Sequence, residues 1–207
     1  MLRISLDELV GSLIVNEGVF KPNEGSIALA RTSVQYDGEF LDMGTGTGFI
    51  SVFLYLHGKL GDATDISAPA LECAHDNFRR FQVHSNLFKS NLYERVDRQY
   101  DTIIFNPPTS LNETENDRML KNSLKSILPQ EIVQYLGGWY QHWNAQKRRI
   151  SLVTFINETR NYLRIGGRLL LNVLNTDVGY LQENSHKCLV ISKETCLRTT
   201  VLEINYI

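Results

Sequence analysis

Leu41-Asp42-Met43-Gly44-Thr45-Gly46-Thr47-Gly48 closes a short apolar run, 39–43, and opens a stretch that reads as a helix through residue 57. Glycines at such a junction permit a tight turn and close backbone approach to a ligand, and the first turn of a helix favours negative charge. The spacing is GxGxG, not GxGxxG, and no GK[ST] follows. A P-loop is therefore excluded and a nicotinamide site disfavoured. Asp65 lies at the end of the next apolar run, 60–66, 21 positions after Gly44. A carboxylate at about that distance is where nucleotide-like ligands find a partner for their ribose hydroxyls. Two plainer readings stand beside these: a turn that binds nothing, and an acid that caps the following helix. Capping and ribose binding can coexist at one carboxylate.

Outward from this stretch, short apolar runs alternate with amphipathic ones, the pattern of parallel βα units. A helix is expected over 68–80, where Ser67 can cap it and Pro69 suits its first turn. Strands are expected near 84–88, over 100–105 and 168–174, and over 187–192 and 198–206 as a hairpin-like pair. The run YDTIIF at 100–105 is continuous, as in strands buried on both faces. Residues 150–163 read as a helix that stops at Gly166-Gly167. Residues 111–148 read as a polar and aromatic insertion or lid, broken at Gly137-Gly138. The first 37 residues read as a helical or loop cover, and 38–207 as one α/β domain.

Composition narrows the classes. The 207 residues suit one domain at roughly 150 residues each, and 43% hydrophobic with 21% charged is the balance of an ordinary globular chain. No apolar run approaches the roughly 18 residues of a membrane span, and MLRISLDELVGS at the start lacks the core of a secretory signal. The cysteines Cys73, Cys188 and Cys196, with no CxxC and no clustered His, argue against disulfides and a metal site and for a reducing cytoplasm. A net charge of -2 counts against a grip on nucleic acid through many phosphates without excluding one. Cys73 reads as helix packing, and Lys147-Arg148-Arg149 as a solvated helix face rather than a phosphate contact.

Asn106-Pro107-Pro108 ends the run 100–105, since neither proline can donate to a ladder. The turn is rigid and presents a carboxamide together with the carbonyls of Asn106 and Pro107. Such a set suits a planar, conjugated NH2, which is a poor nucleophile. Accepting both of its hydrogens orients the nitrogen and raises its electron density in the transition state. The plainer reading is a turn that only ends a buried strand.

LDMGTGTGFIS resembles motif I of the class I S-adenosylmethionine-dependent methyltransferases, and Asp65 is similar to their ribose-binding acid. Asn106-Pro107-Pro108, an NPP motif, resembles the [DN]PP[YFW] motif of methyltransferases that act on glutamine amides and on the exocyclic amines of adenine and guanine. GVFKPNEGS at 18–26 is similar to the segment before motif I in the HemK-like release-factor glutamine methyltransferases. Ser90-Asn91-Leu92-Tyr93 falls where that family and the small-subunit ribosomal RNA guanine methyltransferases have an Asp or Asn near the cofactor adenine. Gly137-Gly138 and LRIGGRL at 163–169 resemble its glycine pair and its L-x-x-GG-x-L segment. The resemblance spans about residues 16–175.

The resemblance implies a Rossmann-like methyltransferase fold: a single α/β domain on a mostly parallel seven-stranded sheet with an antiparallel last strand. It implies S-adenosyl-L-methionine as cofactor, held by Asp42, Gly44, Thr45, Gly46, Gly48, Asp65, Ile66, Asn91 and Asn106. Asn106 and Pro107 become the catalytic pair, and Asn106, Pro108, Thr109 and Trp139 the acceptor site. Thr109 departs from the family pattern, which has an aromatic residue there. Trp139, Tyr140 and Trp143 could supply a substitute wall or serve as lid packing. The helical domain that precedes motif I in the HemK-like proteins has no counterpart within 37 residues. Both departures favour a compact acceptor or a recognition surface supplied by a partner.

The expectation is a cytoplasmic N-methyltransferase acting on an amide or amino nitrogen, with no metal and no membrane partner. A protein glutamine or a small molecule is favoured over a nucleobase. A cofactor-binding subunit without activity of its own, which recognises substrate for a partner or is activated by one, a small-molecule O-methyltransferase and another nucleotide-dependent enzyme stand as alternatives.

Overall fold

A computed structural model describes residues 5–107 and 130–207, with 130–144 described by their backbone alone. Seven strands form one sheet: β1 (Phe40–Met43), β2 (Gly61–Asp65), β3 (Asn86–Lys89), β4 (Tyr100–Phe105), β5 (Leu163–Leu174), β6 (Cys188–Thr195) and β7 (Thr199–Tyr206). Their order is β3-β2-β1-β4-β5-β7-β6. The first five pair in parallel, and β7 runs antiparallel to both β5 and β6, as the expected fold requires. The helices are α1 (Leu6–Ser12), α2 (Glu24–Ser33), α3 (Phe49–Leu56), α4 (Ala68–Phe81), α5 (Gln130–Thr159) and α6 (Val178–Asn184).

Both faces of the sheet are covered, which is why its central strands are continuously apolar. Phe40, Ala63, Ile104, Leu170 and Val201 point to one face, where α1, α2 and α3 supply Leu9, Leu29, Val52 and Phe53. Their neighbours Leu41, Met43, Ile103, Leu169, Leu171 and Leu202 point to the other, against Leu152, Phe155 and Ile156 of α5 and Leu181 of α6. The alternation is the period of two that a pleated strand imposes. At seven residues α1 is too short to persist alone. It is held by a capping box between Ser5 and Glu8 and by Leu9, which is fully buried. Ser67 caps α4 and Pro69 lies in its first turn, as predicted.

Three local expectations are corrected. Gly166-Gly167 does not end a helix: α5 ends at Thr159, a 3-10 turn follows over Arg160–Tyr162, and both glycines lie within β5. There the β4–β5 register jumps, from Tyr100↔Leu163 to Thr102↔Arg168, so residues 164–167 bulge against Asp101 alone. Gly166 takes φ +78, and Gly167 lets three backbone carbonyls crowd the position a Cβ would occupy. Gly137-Gly138 is likewise no break, because α5 runs through it. Two glycines within a helix cost roughly 1 kcal/mol each relative to alanine but remove no hydrogen bond.

The basic run is the third correction. Arg148 Nε and Arg149 Nε both donate to Asp177, at 2.8 Å each, and the Asp177 side chain is fully buried. A buried carboxylate left unpaired would be costly, so two guanidiniums are drawn inward from what the sequence presents as a solvated face. The predicted lid overlaps α5 over 130–148; residues 111–129 lie outside the described residues.

Substitution Gly167→Ala places a Cβ 2.9 Å from the Arg164 carbonyl oxygen and 3.1 Å from those of Tyr100 and Asp101. Urea denaturation is expected to show a loss of roughly 1–3 kcal/mol, the scale of overpacking. An unchanged midpoint would contradict the close approach.

Candidate active site

Parallel register lines up the residues that follow each strand. Met43 pairs with Thr64 on one side and with Phe105 on the other, so Gly44, Asp65-Ile66 and Asn106 emerge at one edge of the sheet. Ser90-Asn91 emerges beyond them, with Ser90 N donating to the Asp65 carbonyl at 3.0 Å. The chain order reverses between β1 and β4, and the crevice at the carboxyl ends beside such a point is where open α/β sheets bind ligands. From β3 to β4 is three strand spacings, roughly 14 Å at about 4.8 Å each. This row of strand ends therefore suits an elongated ligand laid across it.

The glycine loop is fixed from below by Asp42. Its Oδ2 accepts from Thr45 Oγ1 at 2.7 Å, Ser51 Oγ at 2.7 Å and Ser51 N at 3.2 Å, tying the end of β1 to the loop and to the first turn of α3. Burial pushes the Asp42 carboxyl up to about 6, and the three hydrogen bonds oppose that rise. Asp42 and Thr45, expected as cofactor residues, thus commit side-chain groups to each other. Gly48, the N-cap of α3, stands at φ +77 with Phe78 and Ala74 pressed against it. A Cβ on Gly46 would meet nothing within 4 Å, so the loop turns an open backbone face outward there.

Asp65 joins the loop to the next βα junction. Its Oδ2 accepts from Gly46 N at 3.0 Å and its Oδ1 from Ser67 N at 2.9 Å. Two of the roughly four acceptor positions of a carboxylate are thereby used, leaving room for ribose hydroxyls. Ile66 beside it is 58% exposed and offers an apolar surface at the same rim. Asn91 is exposed, and its Nδ2 donates to Glu94 at 2.9 Å. An open glycine backbone, a carboxylate with acceptor capacity and a flanking apolar side chain fit a nucleoside-bearing ligand.

At the other side of the loop, Asn106 and Pro107 are half-buried at the end of β4. Asn106 Nδ2 donates to Ser26 Oγ at 3.0 Å, and its Oδ1 accepts from Asn172 Nδ2 at 2.9 Å. Beneath it Phe105 packs on Phe155, ring centroids 4.7 Å apart. Pro108 and Thr109 lie outside the described residues, as do the side chains of Trp139, Tyr140 and Trp143.

Sequence reasoning missed three residues that organise these groups. Ser26 and Asn172 hold Asn106. Asn77, fully buried in α4, donates from Nδ2 to the carbonyls of Thr47 and Ile14, both at 2.8 Å, and accepts from Ile14 N at 2.8 Å. It thereby ties the N-terminal segment to the glycine loop. A signal existed for Asn172, the one uncharged polar residue in RLLLNVL. Among the described residues no group of three or more His, Cys, Asp or Glu is placed to hold a metal, and no helix is long and apolar enough to cross a membrane.

Comparison with known proteins adds independent findings. The family described as "Methyltransferase small domain" matches residues 12–127. The protein named "Putative protein N5-glutamine methyltransferase MJ0928", from Methanocaldococcus jannaschii, is 32% identical over 151 residues, covering 72% of this chain and 68% of that one. The ribosomal RNA small subunit methyltransferase C of Alcanivorax borkumensis is 24% identical over 155 residues, covering 72% of this chain and 46% of that protein. This chain therefore spans less than half the length of that relative. The solved ribosomal protein L11 methylase of Lactobacillus delbrueckii subsp. bulgaricus superposes with a TM-score of 0.63 at 19% identity, covering 93% of this chain and 83% of that one. The Pyrococcus abyssi tRNA (uracil-54, C5)-methyltransferase, solved with S-adenosyl-L-homocysteine, superposes with a TM-score of 0.56 at 14% identity, covering 93% and 41%. These likenesses show the shared fold.

The raised Asp42 carboxyl has a measurable consequence. Its folded value near 6 lies above the unfolded 3.8, so the native state binds the extra proton between those values. Stability from this group is therefore greatest at low pH and is lost as pH rises from about 4 through about 6. Substitution Asp42→Asn removes that dependence. Urea denaturation is expected to show the variant gaining roughly 2–3 kcal/mol relative to wild type between pH 4 and pH 8. Parallel pH profiles would show that Asp42 does not titrate in this window.

Proposed function

This chain belongs to the methyltransferase small domain family and is an S-adenosyl-L-methionine-dependent methyltransferase; from that premise we propose that it methylates an amide or amino nitrogen. The observation that carries the proposal is the Asn106 carboxamide, fixed at both polar ends beside the glycine loop. S-adenosyl-L-methionine, when bound, supplies an electrophilic methyl group on a sulfonium centre. Asp65 has acceptor capacity for its ribose hydroxyls, Ile66 an apolar face for its adenine, and Asn91 lies at that same end of the row of strand ends. The backbone of Gly44, Gly46 and Gly48 bounds the remainder.

Asn106 and the carbonyl of Pro107 would accept the hydrogens of an acceptor NH2, orienting its nitrogen. With so reactive a donor, positioning carries most of the catalysis, and the proton that the nitrogen sheds passes to solvent without a strong base. A protein glutamine is the favoured acceptor, in keeping with the name of the Methanocaldococcus relative. A nucleobase amine is the second reading, favoured by the ribosomal RNA relatives, while the net charge of -2 weighs against it. We take residues 1–37 as a cover on the domain 38–207, and a partner as a further source of recognition surface. The three free cysteines fit a reducing cytoplasm.

Methyl-labelled cofactor offered with glutamine-bearing peptides and with purified small-subunit ribosomal RNA tests the acceptor. Label in the peptides is expected, and label in the RNA alone would replace this reading by the second. Asn106→Ala is expected to cut turnover by about 100-fold or more, the scale of a lost transition-state hydrogen bond, with cofactor affinity nearly intact. Asp65→Ala is expected to weaken cofactor binding by roughly 1–3 kcal/mol in calorimetry. An Asn106→Ala enzyme that keeps its rate, or an Asp65→Ala enzyme that keeps its affinity, removes that residue from its assigned role.

A further inference from the structure

We infer that Ser26 and Asn172 are positioning residues for the acceptor site, holding the Asn106 carboxamide in one of its two orientations so that the N-terminal helix α2 completes that site. The inference rests on the reading of Asn106 as the acceptor-binding group.

The orientation follows from where each hydrogen goes. Ser26 forms the capping box of α2 with Asn23 and is 3% exposed. Its backbone N donates to Asn23 Oδ1 at 3.1 Å, and its hydroxyl donates to the same oxygen at 3.2 Å. Ser26 Oγ in turn accepts from Asn23 N at 3.2 Å. With its one hydrogen given to Asn23, Ser26 Oγ has only a lone pair to offer Asn106, so the Nδ2 end of Asn106 faces it. The oxygen end then faces Asn172, which must present Nδ2.

Asn172 meets that demand from within the sheet. It is 2% exposed in the middle of β5, and its own Oδ1 has no partner among the described residues. Its side-chain hydrogen bond among the described residues is the one from Nδ2 to Asn106. Gly25 makes room for it: a Cβ there would lie 2.5 Å from Asn172 Nδ2 and 2.8 Å from Thr199 Oγ1. Helix α2 thus backs directly onto the carboxamide pair. Asn106 Oδ1 spends one lone pair on Asn172, and the second is left for an incoming N–H. Two fixed neighbours in a poorly solvated spot hold this polarity better than solvent could.

Amide exchange measured by NMR on nitrogen-15-labelled protein tests the clamp without any substrate. The side-chain NH2 signals of Asn106, identified by their loss in Asn106→Ala, are expected to exchange about tenfold or more slowly than those of exposed Asn91. Ser26→Ala is expected to abolish the slowing and Ser26→Thr to restore it. In turnover on a glutamine-bearing peptide, Ser26→Ala and Asn172→Leu should lower kcat by about tenfold or more. The KM for S-adenosyl-L-methionine should stay within about twofold, as for a group that positions rather than binds cofactor, and Ser26→Thr should recover the rate. Fast Asn106 exchange in the wild type overturns the clamp, and so does slow exchange with full turnover in Ser26→Ala. Should Ser26→Ala fail to fold, the wild-type exchange rate still decides whether the clamp exists, and Asn172→Leu gives the turnover readout. A wild-type enzyme that labels no glutamine peptide defeats the acceptor assignment alone, because the exchange measurement still decides whether the clamp exists.

Discussion

The Asp42 carboxylate is 2% exposed at the carboxyl end of β1, where desolvation opposes its charge and three donors from Thr45 and Ser51 offset the penalty. Few arrangements satisfy both demands. The chain must turn sharply after Met43 and start a helix within a few residues, so that Ser51 N reaches back to the same oxygen as Thr45. The glycines that permit this turn also leave open backbone at Gly46, and Gly46 N is in turn claimed by Asp65. One buried charge thus fixes the loop, and the loop fixes the position of the second acid. The lower stability expected at neutral pH follows from desolvation of this carboxyl, and carboxyls perturbed in this way cluster at functional sites.

The two helices ahead of β1 are part of the same arrangement. Leu9 and Leu29 are fully buried in the core on one face of the sheet, and Asn77 hydrogen-bonds the carbonyls of Ile14 and Thr47 together. Helix α2 lies against β5 and β7 closely enough that Gly25 has no room for a side chain. The glycine loop and the Asn-Pro-Pro turn are therefore braced from the N-terminal segment, the first through Asn77 and the second through Ser26. A change in how that segment packs would reach both halves of the site at once.

Much of this was legible in the sequence because it is local. The strand-glycine-helix junction, the acid 21 positions on and the Asn-Pro-Pro stop each declare themselves within a few residues, and their alignment follows once the strands are parallel. The glycine pairs were less legible. A positive φ and a missing Cβ serve a helix cap and a strand bulge equally, so Gly166-Gly167 carried no mark of which it was. Arg148 and Arg149 read as solvated because their buried partner, Asp177, lies 29 and 28 residues further on. The braces of Asn106 lie 80 residues before it and 66 after. No periodicity joins such positions, although a lone Asn in an apolar strand was a trace of one.

The claim most exposed to direct measurement is that the methyl group ends on nitrogen. Cofactor carrying carbon-13 in its methyl group, incubated with the enzyme and a whole-cell lysate, delivers a label whose NMR shift reports the atom it is bonded to. A nitrogen-bound methyl, absent with Asn106→Ala, is the predicted result. A methyl on oxygen or carbon would contradict the role given to Asn106 and the turn that carries it.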